Sequence, residues 1–261
     1  MLERDQVQQF QTGVKPEYVI DFKELKEYEK KEPRLDAQYY LGKGLVLARK
    51  WYFKEAITAF SQGLSLEPFN ALLYRHRGHR YISIRHFEEA VADFELSVRL
   101  DPKNWDSWYH LGLAHYLTND FERANMAYQR CLAMTTSDAK LVAIADWAWM
   151  TLKKLGRHKE AAEILTRINE NMEVGENIHY HRRLLMYKGL INPAEVLNLT
   201  TEYDPEITLA TVGYGLGNYY LLQGQKEEAI NVYKKVLESP QWPAFGYIAA
   251  EVDIASLNYN E

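Results

Sequence analysis

An alanine followed four residues later by a large ring recurs along this chain every 34 residues: Ala56 and Phe60, Ala90 and Phe94, Ala124 and Tyr128. Ala161 with Leu165 stands 37 residues beyond the third pair, and Ala229 with Tyr233 a further 68, which is two periods. A period of this length marks a stacked array, in which the number of repeats and not a single core sets the size.

The rest of each unit keeps the same clock. Twelve residues before those alanines stand Gly44, Gly78, Gly112 and Gly217, and three residues after the glycines come Leu47, Tyr81, His115 and Tyr220. Phe53, Phe87 and Phe121 precede their alanines by three, and Pro68 and Pro102 follow theirs by twelve. Each unit therefore reads as helix, short turn, helix and break. Gly112 and Ala124 fall where two antiparallel helices approach most closely, with Trp108 and Tyr128 filling the flanking volume. Neither helix can bury its apolar stripe alone, so each unit must lean on the next.

The run Trp108-Tyr109-His110-Leu111-Gly112-Leu113-Ala114-His115, followed by Ala124 and Tyr128, resembles a tetratricopeptide repeat (TPR). Leu216-Gly217-Asn218-Tyr219-Tyr220, followed by Ala229 and Tyr233, is similar to the same pattern. The resemblance implies an all-α fold: a right-handed α-α superhelix of about six helix-turn-helix units with a C-terminal capping helix. It divides the chain into an N-terminal segment or capping helix (1–36), three regular units (37–70, 71–104, 105–138), two degenerate units (142–175, 176–209, after three inserted residues) and a regular unit with the cap (210–261). The degenerate units depart at Trp149 and Arg183, where a small residue is expected, and at Glu195 in place of the alanine. Asn192-Pro193 can still cap and start a second helix. Residues 244–257 read as the covering helix, with Glu251, Asp253 and Asn258 on its wet side. Asp21 to Lys31 reads as a charged helix, with Tyr18, Val19, Ile20, Phe22 and Leu25 as apolar content; a mobile arm is the rival reading. The stretch from Thr208 to Ala250 is similar to the end of uncharacterised bacterial TPR proteins, which implies no activity.

Composition narrows the function classes. Hydrophobic residues make 47% of the chain, which excludes disorder throughout, and no apolar run is long enough to span a membrane. A net charge of -5 argues against a nucleic-acid partner. The lone Cys131 excludes an internal disulfide and fits a reducing compartment. The first residues lack the apolar segment of a signal peptide, so the expected location is cytoplasmic.

Chemistry is sparse. His76 and His79 stand three apart on one expected helix and His110 takes the slot equivalent to His76 one unit on, yet no second ligand motif accompanies them, and neither a metal nor a cofactor is expected. His115 and Cys131 occupy packing positions. Gly213, Gly215 and Gly217 lack the spacing of a phosphate loop and read as thinning a helix where neighbours press close. Carboxylates such as Glu88, Glu89, Glu227 and Glu228 begin second helices, where the helix dipole favours them. No catalytic set assembles.

Positions 5, 9 and 12 of each first helix lie about 100° round from its partner-facing stripe and look along the concave side. Thirteen of those eighteen residues are apolar or aromatic, more than a solvated wall needs. The candidate groove is therefore Arg75, His79, Ile82, Tyr109, Leu113, Tyr116, Tyr180, Tyr187, Tyr214 and Asn218, and the expected function is a non-enzymatic adaptor binding a peptide or helix of another protein. Tight curvature burying these positions between units is the competing reading, and occupation of the groove by the N-terminal segment is another. A regulatory subunit or uncharacterised enzyme, or an array self-associating through the Trp242–Tyr259 end, are the alternative functions.

Overall fold

A computed structural model of the chain describes residues 23–31, 35–198 and 204–258. Those residues form thirteen α-helices and no strand. In order they are α1 (Lys23–Lys31), α2 (Ala37–Arg49), α3 (Phe53–Leu66), α4 (Ala71–Ser83), α5 (Phe87–Leu100), α6 (Trp105–Leu117), α7 (Phe121–Ala133), α8 (Asp138–Lys154), α9 (His158–Thr166), α10 (Ile178–Tyr187), α11 (Pro205–Leu222), α12 (Lys226–Leu237) and α13 (Phe245–Asn258). They group into two compact units, residues 2–114 and 115–261.

Helical hairpins are the building block, and one turn closes them all. The residue five before each clocked alanine takes a left-handed backbone: Trp51, Arg85, Asn119, Gly156 and Gly224, with φ between 61° and 78°. The amide that follows donates to the carbonyl five residues back, as in Tyr52 to Leu47, His86 to Tyr81, Asp120 to His115, Arg157 to Leu152 and Gln225 to Tyr220, at 2.9–3.1 Å. This 6→1 bond satisfies a carbonyl that the ending helix would otherwise orphan. Entry to the first helices is capped in the same periodic way. Asn70 accepts from the amides of Leu72 and Leu73, and Asn104 from that of Ser107. Tyr74 and Trp108, 34 apart, donate to the carbonyls of Pro68 and Pro102.

Close helix contact depends on the small residues. A Cβ added at Gly44 or at Gly217 would come well inside 3.0 Å of the ring of Phe60 or Tyr233, and one at Gly78 would meet Phe94 at 3.1 Å. Ala56, Ala90, Ala124 and Ala229 are fully buried. In the unit of residues 2–114, Arg77 ties three helices together: a bidentate pair with Asp93 on α5 at 2.7 and 2.8 Å, and a bond to Ser61 on α3. Leu25 of α1 joins the apolar cluster of α2 and α3, and the Tyr28 hydroxyl donates to the Tyr39 carbonyl. Tyr18, Val19, Ile20 and Phe22 lie outside the described residues.

In the unit of residues 115–261, α8 is the hub. Every residue from Leu141 to Leu152 is buried, because the segment is apolar on every side except at Asp146 and Thr151 and α7, α9 and α10 pack on it. Two expectations are corrected here. Asn192 caps only a single 3-10 turn, Pro193–Glu195, so the second arm expected of residues 176–209 is not a helix through residue 198. Its hairpin turn survives nonetheless: Gly189 has φ 81°, and the Leu190 amide donates to the Leu185 carbonyl. That places Ala194, not Glu195, at the alanine position. Asp253 does not face water but is buried, because Lys154 Nζ approaches it at 2.9 Å and the hydroxyls of Tyr214 and Tyr233 each donate to it at 3.1 Å.

Candidate functional site

Five of the expected groove residues belong to each unit. In residues 2–114, Ile82 and Leu113 are fully buried and Tyr109 nearly so, stacked on Trp105. They pack the unit and offer no surface. Arg75 and His79 keep partial exposure. They sit in a cluster of cations and imidazoles. The rings of His79 and His110 lie 4.6 Å apart; His76 stacks on Phe60 and His110 on Phe94. Arg75 donates to His76 Nδ1 at 3.0 Å, and His110 Nδ1 donates to the Asp106 carbonyl at 2.6 Å. Burial, then the charge of Arg75, push both His76 and His110 down to about 3, so the imidazoles are neutral at physiological pH. Among the described residues, no group of three or more histidine, cysteine or acidic side chains is arranged to hold a metal.

In residues 115–261, Tyr214 and Asn218 are fully buried and Tyr116 nearly so; Tyr180 and Tyr187 keep partial exposure. These residues do converge, but around two charges that the sequence placed separately, Asp146 at an inward position and Arg183 where a small residue is expected. Arg183 lies 3.0 Å from Asp146, with both side chains fully enclosed, and its guanidinium is flanked by the rings of Trp147, Tyr180 and Tyr214 at 5.5–5.7 Å. Its Nη2 donates to Met150 Sδ at 3.0 Å, and its Nε to the Tyr187 hydroxyl at 3.3 Å. The pair is a charge contact without aligned hydrogen bonds, since neither Asp146 oxygen has one; the Tyr128 hydroxyl, Trp147 Nε1 and the Asn218 amide are likewise buried without a hydrogen-bond partner. Burial raises the Asp146 carboxyl to about 7 against the pull of Arg183. Beside this pair a tyrosine network runs from Tyr116 to Tyr214 at 2.7 Å and on to Asp253.

Space for Arg183 is made by Gly215. A Cβ on that glycine would sit well inside 3.0 Å of the guanidinium, and one on Gly213 would meet Val236 at 2.7 Å. Trp149, the other residue too large for its position, stacks on Tyr187 with centroids 3.9 Å apart. Pairing a large residue at one position with a glycine on the next first helix was visible in the sequence as Arg183 and the Gly213-Tyr214-Gly215 run. The ion pair itself was not, because Asp146 and Arg183 are distant in the chain.

Models of the tetratricopeptide repeat match residues 75–139 and 213–241. No curated protein matches the sequence. Among solved structures, a tetratricopeptide repeat protein from Parabacteroides merdae is similar, at 19% identity and a TM-score of 0.57 over 86% of this chain and 89% of that one. YrrB, described as a TPR protein with an unusual peptide-binding site, is 19% identical with a TM-score of 0.49 over 88% and 98%. MamA is 19% identical with a TM-score of 0.48 over 78% and 92%. The Parabacteroides likeness shows the fold: all-α, built of tetratricopeptide hairpins.

Proposed function

We propose that this tetratricopeptide-repeat-containing protein is a non-enzymatic adaptor of the cytoplasm that holds a peptide or helix of another protein against its first helices. The observation that carries the reading is the partial exposure of Arg75, His79, Tyr180 and Tyr187 on helices whose remaining inward positions are sealed by packing. An arginine and large rings held on a rigid scaffold are what protein-binding surfaces use: planar charge and broad area at small entropic cost. The binding residues are therefore narrowed from ten to two pairs, Arg75 with His79 in residues 2–114 and Tyr180 with Tyr187 in residues 115–261, each on its own unit. Ile82, Tyr109, Leu113, Tyr116, Tyr214 and Asn218 support them from within.

The test is capture of a partner by the tagged full chain from the lysate of its native host, followed by reconstitution with the purified partner. Arg75→Glu and Tyr180→Ala should each weaken binding by ~1–3 kcal/mol while helical content is retained. Absence of any specifically retained protein, or equal binding by wild type and both variants, would reject the reading.

A further inference from the structure

The charges along α4 do not balance. Arg77 is fully answered by its bidentate pair with Asp93. Among the described residues, the carboxylate that Arg75 meets is Asp106, at 3.7 Å, and it is 55% exposed. Arg80 has no carboxylate within ion-pair distance among the described residues, and its guanidinium lies 5.1 Å over the ring of Phe53. Both guanidinium groups act on the same imidazoles, since His76, His79 and His110 each lie within the field of Arg75 and Arg80. Burial, with repulsion from Arg75 added, lowers Arg80 to about 10. Two under-compensated, partly buried cations thus lie on either side of His76 along α4, Arg75 bonded to its ring at 3.0 Å and Arg80 one helical turn beyond it.

We propose that Arg75 and Arg80, with His76 between them on α4, form a docking site for the aspartate or glutamate side chains of an acidic segment in a partner protein. The inference rests on the adaptor reading for its choice of a protein. A guanidinium is a fork of planar donors that fits a carboxylate on two atoms, and in a partly buried setting such bonds are stronger than neutral ones. A bound carboxylate supplies the missing negative charge next to Arg80 and replaces the long contact of Arg75 with Asp106. Nucleic acid draws its affinity from many phosphate contacts. Two cations on one helix, in a chain of net charge -5, suit the few carboxylates of a peptide better.

Fluorescence anisotropy of the full chain with labelled hexaglutamate tests the site. The peptide carries an amidated C-terminus, so that only side-chain carboxylates are offered; hexaglutamine and decauridylate are the comparison ligands. Expected is saturable, salt-sensitive binding of hexaglutamate alone, weakened about tenfold or more by Arg75→Gln and by Arg80→Gln. Arg99→Gln, on an exposed guanidinium of α5, should leave it unchanged. Thermal melts establish that each variant is folded, and if Arg80→Gln is not, Arg75→Gln decides alone. Hexaglutamate binding no tighter than hexaglutamine, equal in Arg75→Gln and wild type, or lost equally in Arg99→Gln overturns the proposal, as does tighter binding of decauridylate. If hexaglutamate binds as described but no cellular protein is captured, this site stands and the adaptor reading falls. If a protein is captured and hexaglutamate does not bind, the adaptor reading stands without this site.

Discussion

Asp146 and Arg183 face each other at 3.0 Å with neither side chain reaching solvent. Removing water from two charges costs several kcal/mol each, and their attraction offsets that only while both are present. Asp146→Asn or Arg183→Met alone should therefore destabilise the protein by ~3–5 kcal/mol, while the double change Asp146→Leu with Arg183→Met should recover most of the loss. Urea unfolding of the four proteins checks this. A double variant no more stable than the singles would mean that the pair does not act as a unit.

Gly215 gives the arginine its room. Gly215→Ala should destabilise by ~1–3 kcal/mol through overpacking, and Arg183→Met in the same chain should relieve part of that cost. The same reasoning applies to Gly44→Ala against Phe60 and to Gly217→Ala against Tyr233. At Ala124, fully buried, Ala124→Leu should be as costly, whereas Glu122→Gln on the exposed start of α7 should change little.

Gly156 is required for a different reason. No atom lies within 4 Å of a Cβ placed there, but φ is +72°. Gly156→Ala should cost ~1 kcal/mol from backbone strain alone, and Gly156→Asn less, since asparagine tolerates the left-handed region. Equal Tm values for the alanine and asparagine variants would contradict this account.

Acid should act through the histidines. His76 and His110 titrate near 3 when folded, against 6.5 for an ordinary histidine. Between those values the unfolded chain binds more protons than the folded one, so stability falls as pH drops below about 6.5. The drop in urea midpoint from pH 7 to pH 5 should be smaller in His76→Phe and His110→Phe than in wild type. An unchanged drop would mean that these imidazoles are not held neutral.

Asp253 fixes the last helix. In Asp253→Ala, Lys154 loses its carboxylate and the hydroxyls of Tyr214 and Tyr233 lose their acceptor. Leaving this largely covered cation unanswered should cost ~1–3 kcal/mol. Hydrogen exchange should then quicken in α11, α12 and α13 and stay near wild type in α2–α5.

The hairpin was legible from the residues of a single unit. Its 34-residue clock located the glycine–ring contacts, the burial of the alanines and the tetratricopeptide fold, because each depends on residues within one unit. Even the left-handed turn was legible in principle, always five residues before the alanine, although Trp51 and Arg85 hide it behind residues that rarely adopt that backbone. Which inward positions stay open depends instead on how the hairpins pack. A helical wheel places Ile82, Leu113 and Tyr214 on the inward faces of their helices, as it does Arg75 and Tyr180, but packing buries the former fully and leaves the latter partly exposed. The charges of Asp146 and Asp253 were equally out of reach. Read alone, a carboxylate belongs in water; these two are buried because Arg183 and Lys154, remote in sequence, arrive beside them when the helices pack.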